Sequence, residues 1–189
     1  MNCKINFVPV EMRLPLKFGG ETIYSIQIAS VSLENYGAVG HGETPLSVGW
    51  AWPADLTFKY REEMMCKFGE YIAENLVYTD EHPMIAGYKV INNGLPRWLE
   101  SFNSENGCEM PYLAALITAF DIALHDAYAL ANNVPVYEIY GRKFMPRDLE
   151  YFFNDPVFAR KYPEDYFVKD INSKLTVWHL VGGKDLLTS

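Results

Sequence analysis

Apolar residues recur at every second position in the first quarter of this chain and at every third or fourth position after residue 55. Apolar and polar residues alternate over residues 5–14, 26–33 and 38–43. This alternation predicts three strands, and their short connections favour an antiparallel meander. The phase shifts near Phe7 and Val8, which predicts a bulge there. A sheet with one buried face needs a covering layer, so the later helical periods predict an α+β fold.

Two helical segments supply the first part of this layer. Residues 55–78 carry an apolar stripe at helical spacing, which predicts an amphipathic helix. A shorter helix is expected over residues 83–93. We expect Gly94 to close that helix in the left-handed conformation, and Pro96 to prevent its continuation.

The clearest helical segment follows at residues 112–131, which are rich in Ala and Leu and contain no internal Gly or Pro. Pro111 suits the first turn of this helix, because a proline there gives up no helical hydrogen bond. The helix is expected to end at Asn132-Asn133-Val134-Pro135.

The end of the chain has a different character. Residues 146–169 are rich in Asp, Pro, Tyr and Phe without a sustained period, which predicts an irregular or partly helical connector. Residues 175–183 form a run of strand formers that ends in glycines, and a single strand there has no predicted partner. We therefore divide the chain into a domain at 1–145 and a connector with an orphan strand at 146–189.

Composition limits which binding partners and which cellular compartment are expected for this protein. The formal net charge of −8 opposes nucleic acid, and no basic cluster offsets it. No secretory signal and no continuous apolar run of membrane-spanning length is evident, so we expect a cytoplasmic protein without a membrane partner. Cys3, Cys66 and Cys108 lack metal-ligand spacing and are interpreted as reduced thiols.

Two segments resemble one known family. The first is Leu14-Pro15-Leu16-Lys17-Phe18-Gly19-Gly20, followed after the second strand by Gly40-His41-Gly42-Glu43-Thr44-Pro45. The second is Ala119-Phe120-Asp121-Ile122-Ala123-Leu124-His125-Asp126, followed by Val134-Pro135-Val136-Tyr137. In their order and separation they resemble the N-terminal capping domain of enolase-superfamily proteins of the mandelate racemase and muconate-lactonising type. The resemblance covers residues 4–141, with His125 where the family often has Trp.

The resemblance implies a parent enzyme that removes a proton next to a carboxylate. Such enzymes carry a lysine or histidine base and three carboxylates for Mg²⁺ on a (β/α) barrel, because the metal stabilises the enolate that the base creates. This chain has no Lys-x-Lys base motif and too few residues for a barrel of about 250 residues. The resemblance therefore implies a domain without catalytic residues or a metal site of its own, whose partners are the barrel, a small carboxylate substrate and other copies of the chain.

In the family, two loops of the capping domain close over the barrel mouth and select the substrate. Carried over to this sequence, the loops are residues 15–21 and 44–53. The substrate-proximal candidates within them are Lys17, Phe18, Gly19, Gly20, Thr44, Pro45, Trp50 and Trp52. Lys17 is suited to a substrate carboxylate, and the two tryptophans to an apolar wall; a solvated lysine and core-anchoring indoles are the alternatives. His179 would face the barrel mouth if residues 176–183 form the first barrel strand.

Other polar residues point to structural roles. Asp121 and Asp126 are five apart on the predicted helix, so a cap or a salt bridge is expected rather than a catalytic pair. His125 is interpreted as a packed core histidine without a carboxylate or second histidine on its face. His41 and Glu43 share a strand face, but two ligands alone make a poor metal site.

The resulting hypothesis is a capping and specificity domain of a Mg²⁺-dependent lyase, racemase or cycloisomerase, inactive when isolated. An apolar patch near the two loops is expected to promote self-association. The alternative is a stand-alone binding or scaffold protein that retains the capping fold.

Overall fold

The computed structural model describes residues 2–18, 21–46, 56–77 and 79–168, together with residues 174, 176 and 177. Within these residues the architecture is α+β, with an antiparallel sheet followed by helices, as the hydrophobic periods predict. The strands are β1 (Cys3–Phe18), β2 (Glu21–Asn35) and β3 (Ala38–Pro45). The α-helices are α1 (Phe58–Asn75), α2 (Pro83–Lys89), α3 (Leu95–Asn106), α4 (Ile117–Ala131) and α5 (Leu149–Phe153).

The sheet has the order β1-β2-β3, which confirms the predicted meander. The pairing of β1 with β2 is continuous from Cys3 to Glu11 and changes register between Glu11 and Leu16. The bulge predicted at Phe7 and Val8 is therefore wrong. Phe7 packs against the core, whereas Val8 points to the opposite face and is 47% exposed. The apolar residue on the outer face produced the apparent change of phase.

The turn between β2 and β3 has two central residues, Tyr36 and Gly37. Their φ angles are 54° and 81°, so both lie in the left-handed region. Two consecutive positive φ values match a type I′ turn, whose twist agrees with that of the flanking strands. The Tyr36 side chain stays in place because its hydroxyl donates to the Glu81 carbonyl at 2.6 Å. This turn sets the register of β3 on β2.

The helices cover one face of the sheet and form a single core with it. Ala29, Val31 and Leu33 alternate along β2 and are fully buried on that face. Helix α1 lies over β1, where its Gly69 approaches Ile5 and Phe7. The largest fully buried side chains in the described residues are Phe68, Phe120, Leu33, Leu46, Met65, Ile72, Met110, Leu113, Leu116, Ile139 and Val31.

The helix predicted at residues 83–93 does not end at Gly94. Helix α2 continues through a π-helical turn, Val90–Gly94, directly into α3. Gly94 has a right-handed conformation (φ −76°), and Pro96 lies in the first turn of α3, where its missing N–H costs no helical bond. The left-handed closing residue is Gly107 (φ 62°). The prediction failed because a proline that stops one helix is equally suited to begin the next.

The helix predicted over residues 112–131 is confirmed from Ile117 to Ala131, as α4. Its first part is instead a 3-10 turn, Pro111–Leu116, which leads into α4. Asn132 caps the end of α4, followed by Asn133 with a φ of 53°. By length and composition Leu113–Ala131 is apolar enough to cross a membrane, but half of the segment is buried inside this fold. A helix at the centre of a packed domain has the same composition.

After α4, Val136–Tyr140 forms a 3-10 turn that we call the exit turn. Beyond it the chain contains α5 and two further 3-10 turns, Pro156–Phe158 and Pro163–Tyr166. Residues 146–168 are irregular and partly helical, as predicted, and their assignment as a connector stays a prediction. The predicted strand at residues 175–183, with His179, lies outside the described residues except for Thr176 and Val177, which are not in a strand.

Candidate functional site

The two sequence segments that carry the family resemblance contact each other in the fold. Gly40 of β3 lies against the backbone of Ala123 and Ala127, and Gly42 lies against the backbone of Ala119. A side chain at either glycine would overlap the helix backbone itself, which cannot move aside as a flexible side chain would. The glycine and alanine positions of the two segments therefore permit close packing of α4 on β3.

Asp126 strengthens the same contact. Its Oδ2 accepts a hydrogen bond from the His41 backbone N–H at 2.9 Å. In the register of the sheet His41 faces Ser32, and the alternating ladder directs the His41 N–H away from β2. Asp126 thus satisfies a donor at the outer edge of the sheet. The partner is a strand-edge N–H, whereas a helix cap or a salt bridge was predicted for Asp126.

The first predicted capping loop is shorter than expected. Backbone pairing continues from Leu16 opposite Ile23 to Phe18 opposite Glu21, so the strands include all but two residues of the predicted loop 15–21. Lys17 and Phe18 therefore lie at the end of β1, and Gly19 and Gly20 lie outside the described residues. The boundary at Pro15 was wrong because Pro15 lies within β1, where the register changes between Glu11 and Leu16.

The second predicted capping loop is described only at its start. Thr44 and Pro45 belong to β3, where they pair with Ala29 and Ile28. Trp50 and Trp52 lie outside the described residues, so their proposed role as an apolar wall stays a prediction.

Exposed apolar side chains lie near the first predicted capping loop. Because β3 pairs only with residues 28–35 of β2, the far half of the β1–β2 hairpin extends beyond it. Its exposed apolar side chains, which we call the hairpin surface, are Val10, Leu14 and Tyr24, and Val8 lies at the boundary of this half, opposite Ile28. A cavity of about 410 Å³ lies beside Tyr24, lined by Thr22, Ile23, Tyr24, Ser25 and Phe58. A continuous apolar patch near the two loops stays a prediction.

A second cavity, of about 360 Å³, contains most of the ionisable groups that the sequence singled out. It is lined by His41, Asp121, Ile122, His125, Asp126, Val136, Tyr137 and Tyr140. Both aspartates reach it, although each has its own structural partner.

His125 is the most buried member of this group, at 7% exposed, which confirms it as a packed histidine. Its Nε2 lies 3.7 Å from Asp121 Oδ1, one helical turn earlier, so the expectation that no carboxylate shares its face was wrong. Its Nδ1 lies 2.8 Å from the Tyr140 hydroxyl. The Asp121 carboxylate favours the imidazole proton on Nε2, so the Tyr140 hydroxyl donates to Nδ1.

Burial is the main cause of the pKa shifts in this group. It lowers the pKa of His125 to about 4, so the imidazole is neutral at pH 7. Burial, together with the charge of Asp121, raises the pKa of Tyr140 to about 12, and burial also raises the pKa of Asp121. Tyr140 is therefore a protonated donor at neutral pH, and its bond to His125 attaches the exit turn to α4.

His82 is a buried histidine that the sequence reasoning missed. Its Nδ1 accepts the Met84 backbone N–H at 3.2 Å and thereby caps α2, and its Nε2 lies 3.0 Å from the Ile139 carbonyl oxygen. The available signal was its position directly before Pro83, at the start of a predicted helix. Histidine is an uncommon cap compared with Ser, Thr, Asp and Asn, so the signal was easily overlooked.

Metal-binding and thiol chemistry find little support in the part of the chain that the structure describes. No three His, Cys, Asp or Glu side chains in those residues converge as metal ligands, so they do not provide a Mg²⁺ site. Cys3, Cys66 and Cys108 are free, as predicted, and burial raises the pKa of Cys3 and Cys66 to about 11. Both are therefore protonated and poor nucleophiles at neutral pH.

Comparisons with protein-family models and with curated proteins found no match to this chain.

Proposed function

We propose that this chain is the capping domain of a Mg²⁺-dependent enolase-superfamily enzyme that abstracts a proton next to a carboxylate. The observation that carries the proposal is the packing of β3 on α4. The two segments that resemble the family are far apart in sequence, yet their small residues and Asp126 form one contact. Independent chance similarities would have no reason to be complementary in space.

The proposal assigns different roles to the barrel and to the capping domain, according to the residues present in this chain. The barrel supplies the base and the carboxylates for Mg²⁺, and the capping domain excludes water and selects the substrate. The end of the β1–β2 hairpin, with Lys17 and Phe18, is assigned to the barrel mouth together with Trp50 and Trp52. Lys17 pairs with the substrate carboxylate in this proposal, and the exposed Leu14 and Tyr24 are covered by the barrel.

The first test is the intact mass of the native protein in its source cells. A capping domain of a barrel enzyme predicts a mass about twice 21.6 kDa, since a barrel adds about 250 residues. A native mass of 21.6 kDa would contradict the capping-domain proposal.

The second test concerns the chemistry. The native protein is incubated with Mg²⁺ and a panel of small carboxylates in D₂O, and exchange of the proton next to the carboxylate is followed by NMR. Exchange that EDTA abolishes is expected for the native enzyme, and none for the isolated 189-residue chain. Lys17→Ala in the native enzyme is expected to raise KM more than it lowers kcat, with Lys4→Ala on β1 as the control.

A binding or scaffold protein that keeps this fold is the second candidate. It is favoured by the closed core of the described residues, in which sheet and helices bury each other without a further domain. Its partner surface would be the hairpin surface. Both candidates predict association of the isolated chain through this surface. Light scattering should therefore show an average mass that rises with concentration, and Leu14→Lys with Tyr24→Ser should abolish the rise.

A further inference from the structure

The exit turn is held to the domain by two histidines from different helical segments. His82, at the start of α2, donates its Nε2 proton to the carbonyl of Ile139, whose side chain is fully buried. His125, on α4, accepts the hydroxyl of Tyr140, the next residue. His125 accepts the Tyr140 hydroxyl only while its Nδ1 is unprotonated. The bond from His82 Nε2 to the Ile139 carbonyl is compatible with both the neutral and the charged imidazole.

His82 cannot gain a second proton without losing one of its contacts. Its Nδ1 already accepts the Met84 N–H, so a proton on Nδ1 would place two donors against each other. The site is also the N-terminus of α2, where exposed backbone N–H groups disfavour a positive charge. The imidazolium keeps the Nε2 proton that Ile139 accepts, so the bond to Ile139 is lost because the whole ring leaves its buried position. Burial and the two facing donors at Nδ1 drive that movement.

The exit turn also contacts the end of the connector. The rings of Tyr137 and Tyr140 contact Phe167 with centroid distances of 5.9 and 6.4 Å. Movement of the exit turn therefore removes the surface on which this part of the connector rests. Arg142 forms a separate attachment through Glu164 and Asp165, which does not involve a histidine.

Among the groups that face His82, the Ile139 carbonyl favours a proton on the ring, because it accepts from Nε2. The cavity beside His82, of about 530 Å³, is lined by the ionisable residues Asp80, Glu81, Lys89, Tyr128, Arg147 and Tyr151. Glu81 is paired with Lys89 at 2.6 Å, and Arg147 is a further positive charge. His125 also opposes a proton on His82. Burial is the largest effect, and it lowers the pKa of His82 to about 4.

We propose that His82 is a pH switch that couples the cap of α2 to the docking of the exit turn. Neutral His82 caps α2 and holds the exit turn in place. Protonated His82 releases the exit turn, and with it the end of the connector that contacts Tyr137 and Tyr140. The switch is independent of the function proposed above.

The test is hydrogen exchange of the full chain between pH 7 and pH 4.5, corrected for the intrinsic dependence of exchange on pH. Opening of the exit turn should increase up to about tenfold per pH unit below 6.5, since each pH unit adds one factor of ten to the preference of an unperturbed histidine for its proton. Opening of α4 near Phe120 should stay rarer than opening of the exit turn at every pH, which separates local release from global unfolding.

Three variants test which histidine causes the pH dependence of exit-turn opening. His82→Gln, which offers an acceptor and a donor but does not titrate, should remove most of the pH dependence of exit-turn opening. His41→Gln, at an exposed histidine on β3, should leave it unchanged, and His125→Gln should reduce it less than His82→Gln does. If His82→Gln does not fold, an NMR titration of the wild-type His82 ring against exit-turn protection supplies the same test.

Two results would overturn the proposal. One is opening of the exit turn and of α4 to the same extent at every pH. The other is a pH dependence of the exit turn that is unchanged in His82→Gln, or whose midpoint in the wild-type protein does not follow the His82 titration.

Discussion

The contact between β3 and α4 and the attachment of the exit turn use opposite physical means. At the first, Gly40 and Gly42 allow two backbones to approach closely, and the contact depends on shape. At the second, His82, His125 and Tyr140 are joined by hydrogen bonds whose existence depends on protonation. Tight backbone packing leaves few alternative arrangements, whereas a hydrogen-bonded attachment can be released. The comparison therefore separates a permanent part of the domain from a part that responds to conditions.

The largest expected effect is at the close contact. Gly40→Ala places a methyl group against the backbone of Ala123 and Ala127, so we expect the free energy of unfolding to fall by about 3 kcal/mol, the upper part of the range for overpacking. Gly94→Ala is the matched control. Its added Cβ meets the Trp98 ring at an ordinary 3.5 Å in a helical backbone, so it should raise stability by up to about 1 kcal/mol. Urea unfolding measures the free energy of unfolding of both variants. Equal changes in the two would contradict the importance of close backbone packing at the β3–α4 contact.

Acid should produce the next largest effect, through the histidines of the exit turn. The pKa of His82 and of His125 is lowered to about 4 in the folded protein, from 6.5 when unperturbed. The unfolded chain thus binds more protons between these values, and stability is full above pH 6.5 and falls toward pH 4. Each histidine contributes at most about 1.4 kcal/mol per pH unit.

Asp121 opposes this trend, because its raised pKa makes the folded state favour the protonated carboxyl as the pH falls. Urea unfolding at pH 7, 6 and 5 measures the net change. A stability that stays constant or rises over this range would contradict the assignment of two neutral, buried histidines. The double variant His82→Gln and His125→Gln should flatten the dependence.

A smaller effect is expected at the polar part of the β3–α4 contact. Asp126→Ala leaves the His41 N–H at the sheet edge without its acceptor, which should cost about 1 kcal/mol. Asp126→Asn keeps an acceptor oxygen and should cost less. Thermal unfolding of the pair compares them, and equal losses would mean that charge, and not the hydrogen bond, is responsible.

The smallest effect on stability is expected at Arg142, whose guanidinium bonds Glu164 and Asp165 at 2.7 Å on the surface. Exposed ion pairs contribute little, so Arg142→Ala should leave global unfolding nearly unchanged while the connector is cleaved faster in limited proteolysis. High salt should reduce the difference between variant and wild type. Arg97→Ala on α3 is the control and should not alter connector cleavage.

Much of the fold follows from local patterns in the sequence. The stripe over residues 55–78 predicts α1, and Pro111 with Asn132-Asn133 brackets the segment that ends in α4. The errors occur where one local signal has two meanings. Pro96 begins α3 although it was expected to prevent continuation, and Val8 is an outward apolar residue although it suggested a bulge.

The candidate site was less predictable than the fold. Asp121 and His125 are four residues apart on α4, so their contact follows from helical spacing and was overlooked. The pairing of His125 with Tyr140, and of His82 with Ile139, 57 residues away, follows from no local spacing. Only the path of the chain after α4 brings these groups together. The roles of Lys17, Trp50, Trp52 and His179 stay predictions.

The sequence by itself determined the α+β class, the order of strands before helices and the C-terminal end of α4, because hydrophobic period and Gly, Pro and Asn signals act within a few residues. The tertiary structure decided which polar groups are buried and therefore which are neutral. Burial of His82 and His125 depends on helices and a turn that are distant in sequence, and desolvation there lowers both pKa values. Charge state is a property of the assembled environment, and no residue carries it alone.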